Sequence, residues 1–397
     1  MEKAHFQELF GEIDRLTPEY VQFWKDICTL EARSDDIPGL NRVADFISAY
    51  AEAHGLKVIR EHYEGAGDPL CLVLPEKTAE GGHFHGEFSE EDGHVSLLGH
   101  FDTVHPAGAF GTPAVREEKA VLYGPGVYDM KGGIVMALFA CEILRVSELP
   151  HREIRIVLDS DEESGEHLGK ERKAFHLRYT KGSVAAINCE GSVPGNVTVG
   201  RKGVLRVAID ITGVPAHAGN AYFKGSSAIR EAACKIIALE RFSEEGGMTF
   251  NVGRIEGGTV VNIVPEKCHM EVDIRFLSQE QLSEAYMVVD RVVREITVPG
   301  CTAAWHQLHL LEAMTETEGN HRLFDLYADC ARENALEEIT PMFRGGGSDA
   351  AFPVLIGIPT ICSAGPSGRF EHTIREEADV DSLPRRTKIL VATLLRI

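Results

Sequence analysis

The chain has 397 residues, of which 44% are hydrophobic and 25% charged. Those proportions fit an ordinary globular protein of two or three domains and exclude a disordered chain, a fibre or a coiled-coil rod. Lys plus Arg number 40 against 61 Asp plus Glu, a net charge of -21, which argues against nucleic acid or anionic membrane as a partner, since both need basic surface. No segment approaches the ~18 apolar residues of a membrane span, and the acidic opening MEKAHFQELFGEIDRL does not fit a signal peptide, so a cytoplasmic protein is expected. The nine cysteines form no CxxC pair and mostly sit in apolar runs, which predicts buried reduced thiols.

Along the chain, Phe6, Leu9, Phe10, Ile13 and Leu16 recur at helical spacing, as do Val43, Phe46, Ile47 and Tyr50 before Gly55. Short apolar runs follow, LKVI, LCLVL and VSLL. Between the last two lies a polar, Gly-rich segment with His83, His85 and His94. It reads as a surface loop or hairpin, with a metal-binding tract as the second reading. A helix at about 132–147 and strands EIRIVLD and VAAINC come next. Strands alternating with helices predict a doubly wound α/β sheet.

From about 202 the rhythm changes. One alternating strand, a helix, two strands, a helix and a last strand give the order β-α-β-β-α-β, a ferredoxin-like α+β unit over 202–313. The first rhythm then resumes. The larger domain is therefore read as discontinuous, 1–201 and 314–397, with 202–313 inserted.

Chemistry gathers at strand ends. VSLLG runs into His100 and Asp102, EIRIVLD into Glu162 and Glu163, and VAAINC into Glu190, while Asp129 stands at the mouth of a helix. In an open α/β sheet the carboxyl ends of strands form one rim, where sites are built. His and carboxylate ligands without thiolate suit zinc, cobalt or manganese. His100 and Asp102 face the same side of an extended chain, so Asp102 is either a ligand or the acceptor that orients His100. Glu162 and Glu163 point opposite ways, which suits one as ligand and the other as proton carrier. Charge favours two ions: Asp129, Glu163 and Glu190, with a shared hydroxide, balance four positive charges, whereas one ion leaves the carboxylates repelling one another. His217 and His372 read by themselves as loop histidines. Gly345 to Asp349 reads as a backbone donor loop suited to an anion, or as a plain turn. Gly124-Pro-Gly126 lacks the third glycine of a dinucleotide fingerprint and is rejected as one.

Taken together, LGHFDTVHP, YGPGVYDMKGG, DSDEESG, NCEG, PAHAG, GGTVVNIVPE, EVDIRF, GGGSDAAF and the late His372 resemble, in order, the co-catalytic zinc peptidases and acylases. That family includes glutamate carboxypeptidase, acetylornithine deacetylase, succinyl-diaminopimelate desuccinylase and aminoacylase. The similarity covers about 95–397 and is nearest the glutamate carboxypeptidase branch, although the loop before His94 and Met130 depart from its pattern. The resemblance implies a zinc-exopeptidase-like catalytic domain with a dimerisation, or lid, domain at 202–313. It implies two zinc ions, with cobalt or manganese as substitutes. His100 and Glu190 would hold one, Glu163 and His372 the other, and Asp129 would bridge them. Asp102 would orient His100, and Glu162 would be the general base. His217 would steady the oxyanion in a neighbouring subunit's site. Arg275 would clamp a substrate carboxylate, with Asn262, Gly346 and Gly347 also binding substrate, and the bond after Asp129 would be cis. The expected protein is a homodimeric hydrolase of a small peptide with a free carboxylate. An N-acyl amino acid deacylase is the alternative, and a non-catalytic dimeric binding protein the remote one.

Overall fold

A computed structural model describes the chain except for residues 1, 2, 79–83, 85, 90, 91 and 148. The chain forms two compact units: Met1–Gly200 with Glu316–Phe343 and Asp349–Ile397, and Arg201–Thr315 with Arg344–Ser348. Among the described residues no helix is long and apolar enough to cross a membrane.

The first unit is built on a six-stranded sheet in the order Lys57–Arg60, Leu70–Leu74, Ile154–Asp159, His94–His100, Ser183–Asn188, Thr360–Ile361. Its last four strands run parallel, and the first two add on antiparallel. His94–His100 is buried at every position, as a strand covered on both faces must be. Helix Lys131–Val146 packs against helices Lys3–Thr29 and Ser382–Leu394. Two glycines let it sit so close. A Cβ on Gly132 would lie 2.6 Å from Trp24 Cζ2, and one on Gly133 would lie 1.8 Å from the carbonyl oxygen of Cys189. The Trp24 indole N–H donates to the Val127 carbonyl at 3.1 Å. Buried Lys131 donates to the Leu30 carbonyl at 2.7 Å, satisfying an acceptor just beyond the first helix. These contacts fix the turn that carries Asp129.

The second unit has a four-stranded antiparallel sheet in the order Thr249–Gly257, Lys267–Phe276, Gly203–Thr212, Thr302–Leu311. Helices Ala228–Glu240 and Gln279–Arg294 pack on it. Lys267–Phe276 alternates strictly between buried and less buried residues, so Cys268, Met270, Val272, Ile274 and Phe276 fill the core while His269, Glu271, Asp273 and Arg275 line the other face. The strand order is that of a ferredoxin-like sheet.

Three details differ from expectation. Ala216–His217 is a short strand paired with Ile263–Val264, not a free loop. Arg344–Ser348 groups with the second unit, not with the 314–397 stretch. Arg201 Nη1 donates to the Gly347 carbonyl at 2.8 Å, and a Cβ on Gly347 would lie 2.2 Å from Leu311 Cδ2. His94 is no surface histidine: it opens a core strand, and its Nε2 lies 2.8 Å from Ser183 Oγ. Burial, chiefly, pushes its pKa down to about 4. His83 and His85 lie outside the described residues. All nine cysteines are free thiols, and all but half-buried Cys234 are buried.

Candidate metal centre

Each candidate ligand is placed by the end of a buried element. His100 is the last residue of its strand, and Glu190 comes two residues after Ser183–Asn188. Glu163 comes four residues after Ile154–Asp159, and Asp129 just precedes helix Lys131–Val146. His372, at φ 60°, occupies a left-handed turn near the C-terminus. His100 Nε2 lies 3.3 Å from Asp129 Oδ1 and 3.5 Å from Glu190 Oε1. His372 Nε2 lies 3.2 Å from Asp129 Oδ2 and 3.1 Å from Glu163 Oε2. Two trios thus form, His100–Asp129–Glu190 and Asp129–Glu163–His372, each with its ligand atoms within 4.8 Å of one another. They share Asp129, one oxygen to each. The Asp129–Met130 peptide bond is cis.

Asp102 belongs to neither trio. Its Oδ1 accepts from the backbone N–H of Glu162 at 3.2 Å and its Oδ2 from that of Glu163 at 3.1 Å. Oδ2 also accepts from Ser34 Oγ at 2.7 Å, and Oδ1 lies 3.1 Å from His100 Nδ1. One buried carboxylate therefore orients a ligand histidine and pins the loop that carries both glutamates.

The electrostatics show what the site lacks in charge. Burial opposes a charged ring at His100, but Asp102, Asp129 and Glu190 outweigh it and hold its pKa well above the ordinary value. Burial likewise works against ionised Asp129, yet His100 and His372 keep it far below the usual carboxylate range. Burial, then the charge of Asp129, pushes Glu163 up to about 7. Hydrogen bonds to Asp129 and Glu163 push His372 up to about 11. The carboxylates around His100 and His372 favour the charged rings because they lack other positive charge close by, and two divalent cations at the trios would supply it instead. The nitrogen and oxygen donors and the shared carboxylate fit a dinuclear centre.

A sequence model of peptidase family M20/M25/M40 matches residues 96–396. The chain belongs to this family. It is a metal-dependent hydrolase. This M20 family chain is 25% identical to carboxypeptidase G2 of Pseudomonas sp. (strain RS-16), over 93% of this chain and 87% of that protein. It is 25% identical to succinyl-diaminopimelate desuccinylase of Sphingopyxis alaskensis, over 77% and 81%. Among solved structures, aminopeptidase PepT of Bacillus cereus ATCC 10987 shares its fold, with a TM-score of 0.77 at 22% identity, covering 96% of this chain and 98% of PepT.

The other expected site residues of this M20 family member lie in the second unit. His217 is exposed, and its Nδ1 accepts from the N–H groups of Gly219 and Asn220, each at 3.1 Å. That favours the tautomer with its proton on Nε2. The Ala218 N–H donates to the Asn262 carbonyl at 2.9 Å, so Asn262 and His217 share one local structure. Arg275 is less simply disposed than a carboxylate clamp. Its Nε meets Asp273 Oδ1 at 2.6 Å, its Nη2 meets Asp273 Oδ2 at 3.2 Å, and its Nη1 donates to the Gly345 carbonyl at 3.3 Å. Asp273, a neighbour on the same strand face, already holds one edge of the guanidinium. Gly346 and Gly347 offer their carbonyls to Arg201, at 3.5 and 2.8 Å.

Glu376 went unnoticed in the sequence. This buried carboxylate accepts from the backbone N–H groups of Gly126, Tyr128 and Asp129 at 3.2, 2.9 and 3.0 Å, and lies 3.1 Å from His105 Nε2. It ties the segment of His372 to the turn of Asp129. Its signal, a glutamate in REEAD, is only one acid among 61 Asp and Glu. Ser34 and Arg172 were equally silent.

Proposed function

We propose that this M20 family member is a two-zinc exopeptidase that cleaves the amide bond of a small peptide carrying a free carboxylate. The observation that carries the reading is Glu162. It is adjacent in sequence to ligand Glu163, has its backbone pinned by Asp102, and belongs to neither ligand trio. Burial, above all, holds its pKa well above the ordinary value, which favours proton uptake from a neighbouring water. The ions, when bound, would supply Lewis acidity to the scissile carbonyl. Glu162 takes the proton of the attacking water on its carboxylate and delivers it to the departing amine nitrogen. Asp102 holds His100 in the tautomer that leaves Nε2 to bind metal. His217 donates from Nε2 to the oxyanion, and Arg275, shared with Asp273, recognises the substrate carboxylate.

The proposed partner is a second copy of the chain, meeting it through 202–313, with His217 acting in the neighbouring site. Around His217 and Asn262 the surface is apolar: Phe223 and Val261 are almost fully exposed, and Tyr222 and Val260 are about half exposed. Such a patch calls for cover. Mixing inactive Glu162→Gln chains with inactive His217→Ala chains should restore activity in part. Background activity after confirmed subunit exchange rules out the role in trans.

The reaction itself is tested by metal analysis followed by a substrate panel of C-terminal dipeptides, acetyl-amino acids and succinyl-amino acids. Turnover of dipeptides with zinc bound supports the exopeptidase. Turnover of acyl-amino acids alone moves the chain to the deacylases, the reading favoured by its similarity to the desuccinylase.

A further inference from the structure

Behind the metal trios lies a third group of ligand-type side chains, Asp159, His176 and Asp349, all buried and with ligand atoms within 4.8 Å of one another. It is not a third metal site, because a cation from the chain already fills it. Arg172, itself 4% exposed, pairs through Nε with Asp159 and through Nη2 with Asp349. His176 Nε2 lies 3.3 Å from Asp159 Oδ2 and 3.2 Å from Asp349 Oδ2. Burial opposes a charged His176, but Asp349 and Asp159 outweigh it and raise its pKa to about 9, so that ring and Arg172 together offset the two aspartates. Phe352 closes it: its ring centroid is 5.0 Å from that of His176 and 5.6 Å from the Arg172 guanidinium carbon. The same Nη2 that holds Asp349 lies 3.6 Å from Glu162 Oε1.

We propose that Arg172 is a positioning residue for the general base: locked between Asp159 and Asp349, its guanidinium holds the Glu162 carboxylate in the orientation that accepts the proton. The inference rests on Glu162 being that base. The length of the contact matters. At 3.6 Å it is too long for a hydrogen bond, so it directs the carboxylate by charge alone. A short bidentate pair would hold the carboxylate ionised and blunt it as a base. Arginine suits the place because one planar fork faces three carboxylates, a geometry that the single ammonium of lysine does not match.

The test is Arg172→Lys in the metal-loaded enzyme, with kcat, KM, metal content and thermal midpoint all measured. A positioning role lowers kcat by about tenfold to a hundredfold, leaves KM and the metal content unchanged, and leaves the protein folded. Asp349→Asn, which frees one anchor of the guanidinium, serves as the second variant and should lower kcat in the same way but less. The pair Arg172→Lys with Glu162→Gln should show the residual rate of Glu162→Gln alone, since Arg172 acts through that carboxylate. Unchanged kcat in folded single variants overturns the proposal. So does a joint fall of metal content, thermal midpoint and rate, which marks a purely structural network. Glu162→Gln alone separates the two layers: turnover surviving that change removes the base assignment itself. Turnover lost there but unaffected by Arg172→Lys removes only the positioning role.

Discussion

The two ligand trios share Asp129 but are built to different depths. The side chain of His100 is 1% exposed and that of His372 is 56% exposed. His100 ends a core strand, and Asp102 fixes its second nitrogen. His372 stands in a turn, aligned by the link from Glu376, four residues on, to the Asp129 segment. The contrast teaches that equal donor sets need not be equally preorganised. One trio comes ready-made with the sheet, and the other depends on a loop reaching back to it. The first should hold its ion more tightly.

The largest effect should leave that contrast untouched. Glu162→Gln should lower turnover by about 10²- to 10⁴-fold, while native mass spectrometry still finds both ions. Loss of an ion would make Glu162 a ligand and redraw the trios. Asp102→Asn strikes the buried trio hardest, because it removes the negative charge that faces His100 Nδ1. Competition with a zinc chelator should show affinity at that trio falling by about tenfold to a hundredfold, with the His372 trio much less affected. Equal weakening at both would mean that the glutamate loop, and not His100, is what Asp102 holds. A milder probe is graded chelation of the cobalt-substituted enzyme. One equivalent should leave first, from the His372 trio, with the visible spectrum changing in two steps. Simultaneous loss would erase the difference in depth.

The smallest effect is on pH dependence. In the metal-free protein His372 is raised from 6.5 to about 11 by Asp129 and Glu163. A raised histidine adds stability that is full below about pH 6.5 and is lost as the pH climbs towards 11. The stability removed by His372→Ala should therefore shrink across that window when thermal midpoints are compared. Half-exposure and solvent screening keep it small. A difference that grows with pH would contradict the pairing.

The sheet and its rim were legible because each ligand strand is a buried apolar run that stops at a charged residue. His100, Glu163 and Glu190 each follow such a run. The inserted unit was legible from the alternation along Gly203–Thr212 and from the β-α-β-β-α-β order that it opens. His372 and His217 were not legible by pattern, since turns have no period, and only the ordered set of motifs singled them out. Glu376 and Arg172 escaped because their partners are backbone N–H groups and distant carboxylates, which leave no mark at neighbouring positions. His94 was misread because a polar residue opening a strand looks like the end of the loop before it.

The bond from Glu376 to the Asp129 N–H spans 247 residues. A chain emerging from the ribosome presents His100, Asp129, Glu163 and Glu190 long before Glu376 and His372 exist to join them. Throughout synthesis of the inserted unit the nascent protein can offer one trio at most, and that one with its shared aspartate unanchored. Loading of both ions is therefore an event of the finished chain, and a truncated product that reached the cell's metal pool would be a poor competitor for it.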